Sequence, residues 1–484
     1  MNFSTFTINC FAAVNACKPV PRLRQPENIL GVKNIIETAK AWRSNTWLEM
    51  WYSRFSIIGT TFQAFSLGRT TIFTTDSENI KNLLATRFKD FDLGKRQINL
   101  ITNIVCLQSL IRPNFTKIQV SELSNFEPHF QDLLAASPQP CPHTDLVEVD
   151  LQPLFFRLTL DSATELLLGR SFRSLLAAPG STRLQFTEAF DYAQEHIHVH
   201  GLREQPDVRP IAWIYSIFAG SKNSKFDEAC RTVHETTDKI ITEYLGHLGE
   251  KASTKDKYVF LYELVKEIQD PPQLRYEILN VLLAGRDTTA ALLSNIFFVL
   301  SRRPDVWARL QTEVKEAFEG RIPEYNILRN MRYIRNLLNE CLRLYPVVPF
   351  NSRIATTNTI LPRGGGSDGQ SPVFVRAGQL VNYYVWAMHR DPKHFGPNAE
   401  VFDSDRWNDS SFRPGWAYIP FNGGPRICVG QQYALTEVAY IVVRLVQQFE
   451  SVKCRDEQLN WIDSISLVTS SKRGTKVALK VRAK

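Results

Sequence analysis

A single cysteine near the C-terminus constrains this chain more than any other feature of its sequence. Cys428 lies in the segment Phe-Asn-Gly-Gly-Pro-Arg-Ile-Cys-Val-Gly, residues 421–430, and a helical pattern follows at once. Glycine and proline make this segment a loop, and the partly positive N-terminus of the next helix favours an ionised thiol. The sequence therefore predicts a fold that presents one thiolate to a bound cofactor and keeps water away from it.

The residues around this cysteine suit a flat, anionic, iron-containing cofactor. Gly424 lets the backbone turn and approach the cofactor closely, and Gly430 allows close packing where the helix begins. Phe421 supplies an apolar wall beside the sulfur, and Arg426 can pair with a carboxylate. A sulfur ligand favours O–O bond cleavage at a haem iron. We therefore expect haem, with Cys428 as its metal ligand.

The pattern Phe-x-x-Gly-x-Arg-x-Cys-x-Gly resembles the signature of the cytochrome P450 superfamily at every fixed position. The resemblance implies a mainly α fold with small β-sheets, in which haem b is buried between a distal, oxygen-activating helix and the proximal cysteine loop. It also implies a single catalytic domain, which we place at residues 21–484 after an N-terminal segment, residues 1–20. Cys428 would be the axial ligand of the haem iron.

The composition fits a large enzyme. The chain has 484 residues, 44% of them hydrophobic, and no linker-like stretch, repeat or low-complexity tract divides it. Its eight cysteines show no Cys-x-x-Cys spacing or disulfide rhythm, so we expect those other than Cys428 to be reduced and packed in the core. The net charge of +8 suits an anionic membrane face or an acidic redox partner, although a charge balance of this size usually serves only solubility. Without a basic block with interleaved aromatic residues, we expect no nucleic-acid partner.

A second motif lies on a predicted helix from about Pro272 to Leu300. Its residues 282–290, Leu-Leu-Ala-Gly-Arg-Asp-Thr-Thr-Ala, place Asp287 and Thr288 among residues that weaken a helix. We expect a local loosening over the haem, where Thr288 hydrogen-bonds dioxygen and Asp287 relays protons from water. Cleavage of the O–O bond needs protons, which an acid beside a hydroxyl can supply. The alternative is a buried helix with an exposed aspartate, but the motif matches the distal helix of the superfamily.

Two further groups of residues match superfamily motifs. Glu340 and Arg343 lie three residues apart on one helix face, and the resemblance implies that Arg406 joins them in a structural network. Asn-Ser-Arg, residues 351–353, resembles the start of a strand whose basic residue contacts a haem propionate. We therefore assign Arg353 to cofactor binding and the other three residues to the fold.

One region departs from the superfamily pattern. The helix that precedes Arg112 normally carries a tryptophan and an arginine over the haem propionates, and these positions fall on Ile104 and Gln108. The stretch 97–108 also looks short. Either the chain is a natural variant or its gene was assembled without part of an exon, and we favour the second explanation. In both cases, this stretch weakens the expectation of tight haem binding.

Three alternate histidines, His196, His198 and His200, suggest a metal site only if they lie on a strand. The preceding residues 186–195 look helical, and alternate side chains of a helix point apart. We therefore favour histidines at the surface or at the mouth of a substrate channel over a metal site.

The distal motif, the glycine-rich loop at residues 361–369 and Met-His-Arg at residues 388–390 resemble the fungal alkane and fatty-acid hydroxylase group of the superfamily. The resemblance implies a haem-thiolate monooxygenase that inserts one oxygen atom from O2 into a C–H bond of a lipophilic substrate, which is a fatty acid, an alkane or a fungal secondary metabolite. The chain has no flavin or nicotinamide motif, so NADPH would supply electrons through a separate NADPH–cytochrome P450 reductase. A rearrangement or dehydration enzyme and a haem-deficient, inactive chain are the alternatives.

The N-terminus contains no clear membrane anchor. The apolar residues of segment 1–20 are interrupted by Asn9 and Asn15, and fall short of the ~20 that span a bilayer. The segment also lacks the positively charged start and the cleavage site of a secretory signal. By resemblance we expect the cytosolic face of the endoplasmic reticulum membrane, with either peripheral attachment or a soluble chain.

Overall fold

The computed structural model describes residues 11–24, 31–66, 68–93, 123–141, 143–203, 224–247, 259–466 and 468–482. Its α-helices are α1 (Val32–Arg43), α2 (Trp47–Ile58), α3 (Ser77–Lys81), α4 (Leu123–Ala136), α5 (Leu151–Leu168), α6 (Thr182–Arg203), α7 (Ser224–His247), α8 (Phe260–Glu267), α9 (Pro271–Leu300), α10 (Pro304–Phe318), α11 (Tyr325–Asn330), α12 (Arg332–Leu344), α13 (Val385–Met388), α14 (Pro392–Phe395) and α15 (Gln431–Gln448). Its strands are β1 (Thr61–Ser66), β2 (Arg69–Thr74), β3 (Phe91–Asp92), β4 (Leu146–Asp150), β5 (Asn351–Ala355), β6 (Thr359–Gly365), β7 (Ser371–Val375), β8 (Leu380–Tyr383), β9 (Phe449–Cys454), β10 (Asp463–Ile465), β11 (Thr469–Ser471) and β12 (Lys476–Val481).

Helix α9 is the longest helix of the described residues. Asp270 caps its N-terminus by accepting a hydrogen bond from the amide of Gln273 at 3.0 Å, and two prolines occupy its first turn. Every side chain from residue 289 to residue 300 is buried. The predicted helix is therefore confirmed, and it begins one residue earlier than expected.

The main hydrophobic core surrounds the C-terminal half of α9. This helix packs against α5, α12 and α15. One cluster of buried side chains joins Phe155 of α5, Phe297 of α9 and Val442 of α15. Because burial of a large apolar side chain contributes about 1.5–3 kcal/mol, this core fixes α9 firmly against the helix that follows the cysteine loop.

Four small β-sheets accompany the helices in the described part of the chain. The largest has the strand order β1-β2-β8-β5-β3, and the others are β4-β12-β9, β6-β7 and β10-β11. Arg353 of β5 lies opposite Val381 of β8, within the largest sheet. The glycine-rich loop forms the predicted hairpin between β6 and β7. The expected mainly α fold with small sheets is thus confirmed.

Helix α15 begins directly after the cysteine loop. Its buried residues Val438, Ile441, Val442 and Leu445 follow the predicted helical spacing. The helix ends at Gln448, and Phe449 begins β9 with an extended backbone. Within the described ranges, none of the helices combines the length and the apolar character needed to cross a membrane.

Candidate active site

The cysteine loop consists of tight turns. A short 3-10 turn spans Gly424–Arg426, and the amide of Cys428 donates a hydrogen bond to the carbonyl oxygen of Phe421 at 2.9 Å. Gly424 has a φ of 65°, and a Cβ atom at this position would lie 2.1 Å from the carbonyl oxygen of Leu84. Glycine is therefore required here by the turn, as predicted, and also by a close approach to protein backbone.

The sulfur of Cys428 lies where backbone donors stabilise its ionised form. The residue is exposed, yet the protein around the sulfur is dense enough that burial raises the pKa of the thiol. Both observations fit a sulfur at the bottom of a recess. The amides of Gly430 and Gln431 hydrogen-bond to the sulfur and lower its pKa, as predicted for the first turn of the following helix.

The two other residues predicted to contribute to the loop, Phe421 and Gly430, have different surroundings in the structure. Phe421 is half-buried and packs against the main hydrophobic core. The close packing predicted at Gly430 is wrong, because a Cβ atom there would meet no heavy atom of the described residues within 4 Å. Gly430 is the N-cap residue of α15, and none of the described elements packs against the position that its side chain would occupy.

Two arginines lie near each other beside the loop. Arg353 is 1% exposed and its Nη1 donates to oxygens at 2.6 and 3.2 Å, whereas its Nε has no hydrogen-bond partner among the described residues. Arg426 donates to a carbonyl oxygen at 3.0 Å and lies 3.5 Å from the half-exposed carboxylate of Asp92. Burial, followed by the charge of Arg353, lowers the pKa of Arg426. The pair forms a positively charged site that suits a ligand carrying carboxylates.

Two residues that support this arrangement were not predicted. Tyr383 of β8 is buried, and its hydroxyl donates to Oδ1 of Asn422 in the cysteine loop at 2.9 Å. The guanidinium group of Arg353 lies 5.7 Å from the centre of the Tyr383 ring. Asn422 has a φ of 66°, a conformation that asparagine adopts more readily than most residues. An asparagine beside paired glycines was the available signal for the turn, whereas nothing in the sequence marked the tyrosine.

Thr288 lies on the half-buried side of α9. Its Oγ1 donates to the carbonyl oxygen of Ala284 at 2.7 Å, and Ala284 itself is exposed. The predicted local loosening is wrong, because α9 is one uninterrupted α-helix across residues 282–290. A threonine hydroxyl that bonds to the carbonyl four residues earlier is accommodated within a regular helix. The hydroxyl group of Thr288 is therefore carried by a regular α-helix.

Asp287 is fully buried, which excludes the alternative of an exposed aspartate. Its carboxylate accepts hydrogen bonds from the side-chain amide of Gln194 on α6 and, at 3.2 Å, from Nη1 of Arg286. Arg286 is buried as well and pairs with Asp191 of α6. Burial raises the pKa of Asp287 to about 6, against a lowering effect of Arg286. The carboxyl group can hold or release a proton near neutral pH, and it faces α6.

The structure places the cysteine loop and α9 in one region. Val429, next to Cys428, packs against a hydrophobic cluster that contains Leu282 of α9. Val281 and Leu283 lie at the edge of the same cluster. Helix α9 also packs directly against α15. The cysteine and the Asp-Thr motif, which are 140 positions apart in the sequence, therefore border the same part of the molecule.

The predicted structural network is present and is larger than expected. Glu340 and Arg343 are wholly buried and form a bidentate pair with N–O distances of 2.7 and 2.9 Å. Arg406 lies 3.6 Å from the same carboxylate, and the indole of Trp407 donates to it at 3.0 Å. Arg343 also donates to the carbonyl oxygen of His389 at 2.9 Å. A buried pair with this many partners holds α12 to the segment before the cysteine loop.

Two sequence predictions fall partly outside the described residues. The histidines lie on helix α6, as favoured, and His196 bonds through its ring to a carbonyl oxygen at 2.8 Å. The side chains of His198 and His200 lie outside the described residues, and so do Ile104 and Gln108. In the part of the chain that the structure describes, no group of three or more potential ligands is placed to hold a metal ion.

A recess of about 240 Å³ lies between helices α1 and α2 and the β10–β11 hairpin. Its lining consists of Trp42, Arg43, Asn45, Trp47, Asp463, Ser464, Ile465 and Lys472. Because none of these residues belongs to the cysteine loop or to the motif of α9, we do not assign the recess to the reaction.

Comparisons with known proteins agree with this geometry. The model of the family Cytochrome P450 matches residues 52–477. Cytochrome P450 monooxygenase himC of Aspergillus japonicus is 38% identical over 483 residues, which cover 96% of this chain and 84% of that protein. Cytochrome P450 52A4 of Candida maltosa is 41% identical over 434 residues, covering 83% of this chain and 78% of that protein. Cytochrome P450 monooxygenase fsdH of Fusarium heterosporum is 36% identical over 500 residues, covering 98% and 85%. The chain therefore belongs to the cytochrome P450 family of haem-thiolate monooxygenases.

Proposed function

We propose that this protein inserts one oxygen atom from O2 into a C–H bond of a lipophilic substrate, with Cys428 as the thiolate ligand of a haem iron. One observation carries the proposal: the sulfur receives backbone hydrogen bonds from Gly430 and Gln431 in a loop that borders helix α9. We propose residues 21–484 as one catalytic domain, preceded by the N-terminal segment of residues 1–20.

The residues beside the cysteine suit haem b. Arg353, with its unpartnered Nε among the described residues, and Arg426 supply the positive charge that two propionates require. A Cβ atom at Gly430 would meet no heavy atom of the described residues within 4 Å, so these residues do not cover this side of the loop. Phe421 gives the loop an apolar ring, and Gly424 fixes its turn. We assign these five residues to cofactor binding.

The chain itself positions the reactants and moves protons. When bound, haem supplies the activation of dioxygen. The hydroxyl of Thr288, which donates to a backbone carbonyl, can turn to donate to a ligand instead. The carboxyl group of Asp287, whose pKa burial raises to about 6, can take up and release a proton close to neutral pH. Because Gln194 and Arg286 engage this carboxyl, it must leave the Gln194 amide to pass a proton towards Thr288.

The reaction needs electrons that the chain does not provide. One oxygen atom enters the C–H bond and the other leaves as water, which consumes two electrons and two protons. We propose that NADPH supplies the electrons through NADPH–cytochrome P450 reductase. The net charge of +8 favours association with an acidic partner of this kind.

The substrate class follows from the motif resemblance and the relatives. The distal motif and glycine-rich hairpin resemble those of fungal alkane and fatty-acid hydroxylases, and cytochrome P450 52A4 of Candida maltosa is a relative. Two further relatives carry the name cytochrome P450 monooxygenase without a stated substrate. We therefore propose a fatty acid, an alkane or a fungal secondary metabolite.

Helices α1 and α2 offer a surface for peripheral membrane contact. Ile57, Ile36 and Trp42 are 84%, 47% and 40% exposed, although large apolar side chains are usually covered. Lys33 and Lys40 are exposed on the same helix as Ile36 and Trp42. Apolar side chains flanked by lysines suit an anionic lipid surface. We propose that this surface rests on the cytosolic face of the endoplasmic reticulum membrane.

The reduced carbon-monoxide difference spectrum tests the assignment. Wild-type protein and Cys454→Ser, which changes a half-buried cysteine outside the loop, should give the band typical of a thiolate ligand. Cys428→Ser should lose this band. A wild-type protein without the band contradicts the proposed activity, and an unchanged spectrum of Cys428→Ser contradicts the ligand. Product formation that needs neither reductase nor NADPH would instead indicate a rearrangement enzyme.

A further inference from the structure

Buried carboxylates in this protein generally have hydrogen-bond partners. Asp161 accepts from the amides of Ser174 and Leu175 at 2.6 and 3.1 Å, and Glu340 binds Arg343. Glu277 of α9 is the exception: it is 0% exposed, and neither of its carboxylate oxygens has a partner among the described residues. An unsatisfied buried carboxylate lowers the free energy of unfolding, so Glu277 does not contribute to the stability of the fold. Its presence would be explained instead by a contact with a bound ligand.

Glu277 shares one face of α9 with Thr288. Residues 277, 281, 284 and 288 follow the i, i+4, i+7, i+11 spacing that aligns side chains along a helix. Val281 and Thr288 on this stripe are half-buried and Ala284 is exposed, although the C-terminal half of α9 is fully buried. Glu277 therefore lies at the far end of a stripe with accessible surface, about 16 Å along the helix from Thr288.

No cation of the described residues neutralises Glu277. Burial alone raises the pKa of its carboxyl group to about 7. Arg275, two residues earlier, is engaged with Asp238 of α7 at 2.5 Å. The group can therefore accept a hydrogen bond from an uncharged donor, whereas a second carboxylate beside it would be repelled.

We propose that Glu277 is a specificity-determining residue that accepts a hydrogen bond from a hydroxyl or amide N–H group of the lipophilic substrate, at the end remote from the carbon oxidised near Thr288. This inference rests on the proposed function and deepens it, because it favours a long substrate with a donor group over an ionised fatty acid or a plain alkane. Glu277 is buried in the structure. Binding therefore requires that the donor group of the substrate displace some of the atoms that bury the carboxylate.

Matched ligands test the inference on the haem-loaded protein. Dodecanol, its methyl ether and laurate share one alkyl chain and differ in the head group, and their binding is measured by the substrate-induced shift of the haem absorption band. Wild-type protein should bind the alcohol about tenfold more tightly than the ether, as expected for one hydrogen bond to a charged acceptor. Glu277→Leu should abolish this preference, while Glu267→Gln, at an exposed glutamate, should retain it. Equal binding of alcohol and ether by the wild type, or an unchanged preference in Glu277→Leu, overturns the inference.

Thermal unfolding without ligand separates a substrate contact from a fold contact. If Glu277 has no partner inside the chain, Glu277→Leu should unfold at the same or a higher temperature than the wild type. A lower unfolding temperature together with weaker binding of all three ligands would show an internal partner and overturn the inference. The reduced carbon-monoxide band distinguishes the two proposals. With the band present and the alcohol preference absent, only the inference about Glu277 fails, whereas absence of the band contradicts the proposed function itself.

Discussion

The carboxylate of Asp287 accepts a hydrogen bond from the side-chain amide of Gln194, and this bond joins α9 to α6. Arg286 and Asp191 form a second link between the same two helices. The acid predicted to relay protons is therefore held against α6, and a displacement of that helix would change its hydrogen bonding.

Replacement of Asp287 by asparagine should change the pH dependence of stability. Burial raises the pKa of Asp287 from 3.8 to about 6 in the folded protein. The folded state thus binds more protons than the unfolded state between these values, and the stabilisation from this group is lost as the pH rises from about 4 to 6. The difference in the free energy of unfolding, wild type minus Asp287→Asn, should fall across this window in urea titrations. A constant difference would contradict the raised pKa.

Replacement of Thr288 should separate electron consumption from product formation. Thr288→Val removes the hydroxyl that donates to Ala284 at similar size, whereas Thr288→Ser retains a hydroxyl. We expect the valine variant to consume NADPH in the presence of reductase but to convert at most about one hundredth as much into product, since proton delivery typically contributes 10²–10⁴-fold. The serine variant should remain close to the wild type. Equal product yields in the two variants would exclude a role for the hydroxyl.

The sequence predicted local relationships well. The cysteine loop, the bounds of α9 and the pairing of Glu340 with Arg343 depend on spacings of a few residues, which the periodicity of helices and turns determines. The loosened helix at residues 282–290 was a wrong prediction because glycine and threonine cost only about 1 kcal/mol each or less in a helix. Packing of α9 against its neighbours outweighs such a cost.

The sequence did not predict side-chain contacts between segments that are far apart in the chain. Gln194 and Asp191 reach the Arg286–Asp287 pair across more than 90 residues, and Tyr383 reaches Asn422 across 39. No periodic pattern marks residues that meet only after the helices and sheets have packed. The close packing predicted at Gly430 was wrong for the same reason, because the space beside a glycine depends on tertiary structure.

Loss of the buried carboxylate of Glu340 should destabilise the protein strongly. Glu340→Gln leaves Arg343 buried without its counter-charge, which typically costs about 3–5 kcal/mol. The matched control is Asp405→Asn, which breaks the exposed pair with Arg309 and should cost about 0–1 kcal/mol. Chemical unfolding of both variants measures the difference. Similar losses in the two variants would show that the network is not a principal support of the fold.

An acidic residue at Ile57 should weaken membrane contact. Ile57→Asp places a charge on the exposed apolar surface of α1 and α2 and should reduce sedimentation with vesicles of phosphatidylcholine and phosphatidylserine by about tenfold. Leu459→Asp changes an apolar side chain that is similarly exposed, at 72%, but lies elsewhere in the chain. Equal losses in the two variants would show that α1 and α2 do not form the contact surface.

Replacement of Arg353 should affect haem retention and stability in opposite directions. Arg353 is buried near Arg426, with an Nε that lacks a partner in the described residues, so its charge is unfavourable without an anionic ligand. We expect Arg353→Leu to lose haem to apomyoglobin at least about tenfold faster than the wild type, because a buried charge-assisted contact is worth about 1.5–3 kcal/mol. The haem-free variant should unfold at an equal or higher temperature. Arg376→Leu, at an exposed arginine, should change neither property. If the haem-free Arg353→Leu protein is instead destabilised while haem loss is unchanged, Arg353 serves the sheet and not the cofactor.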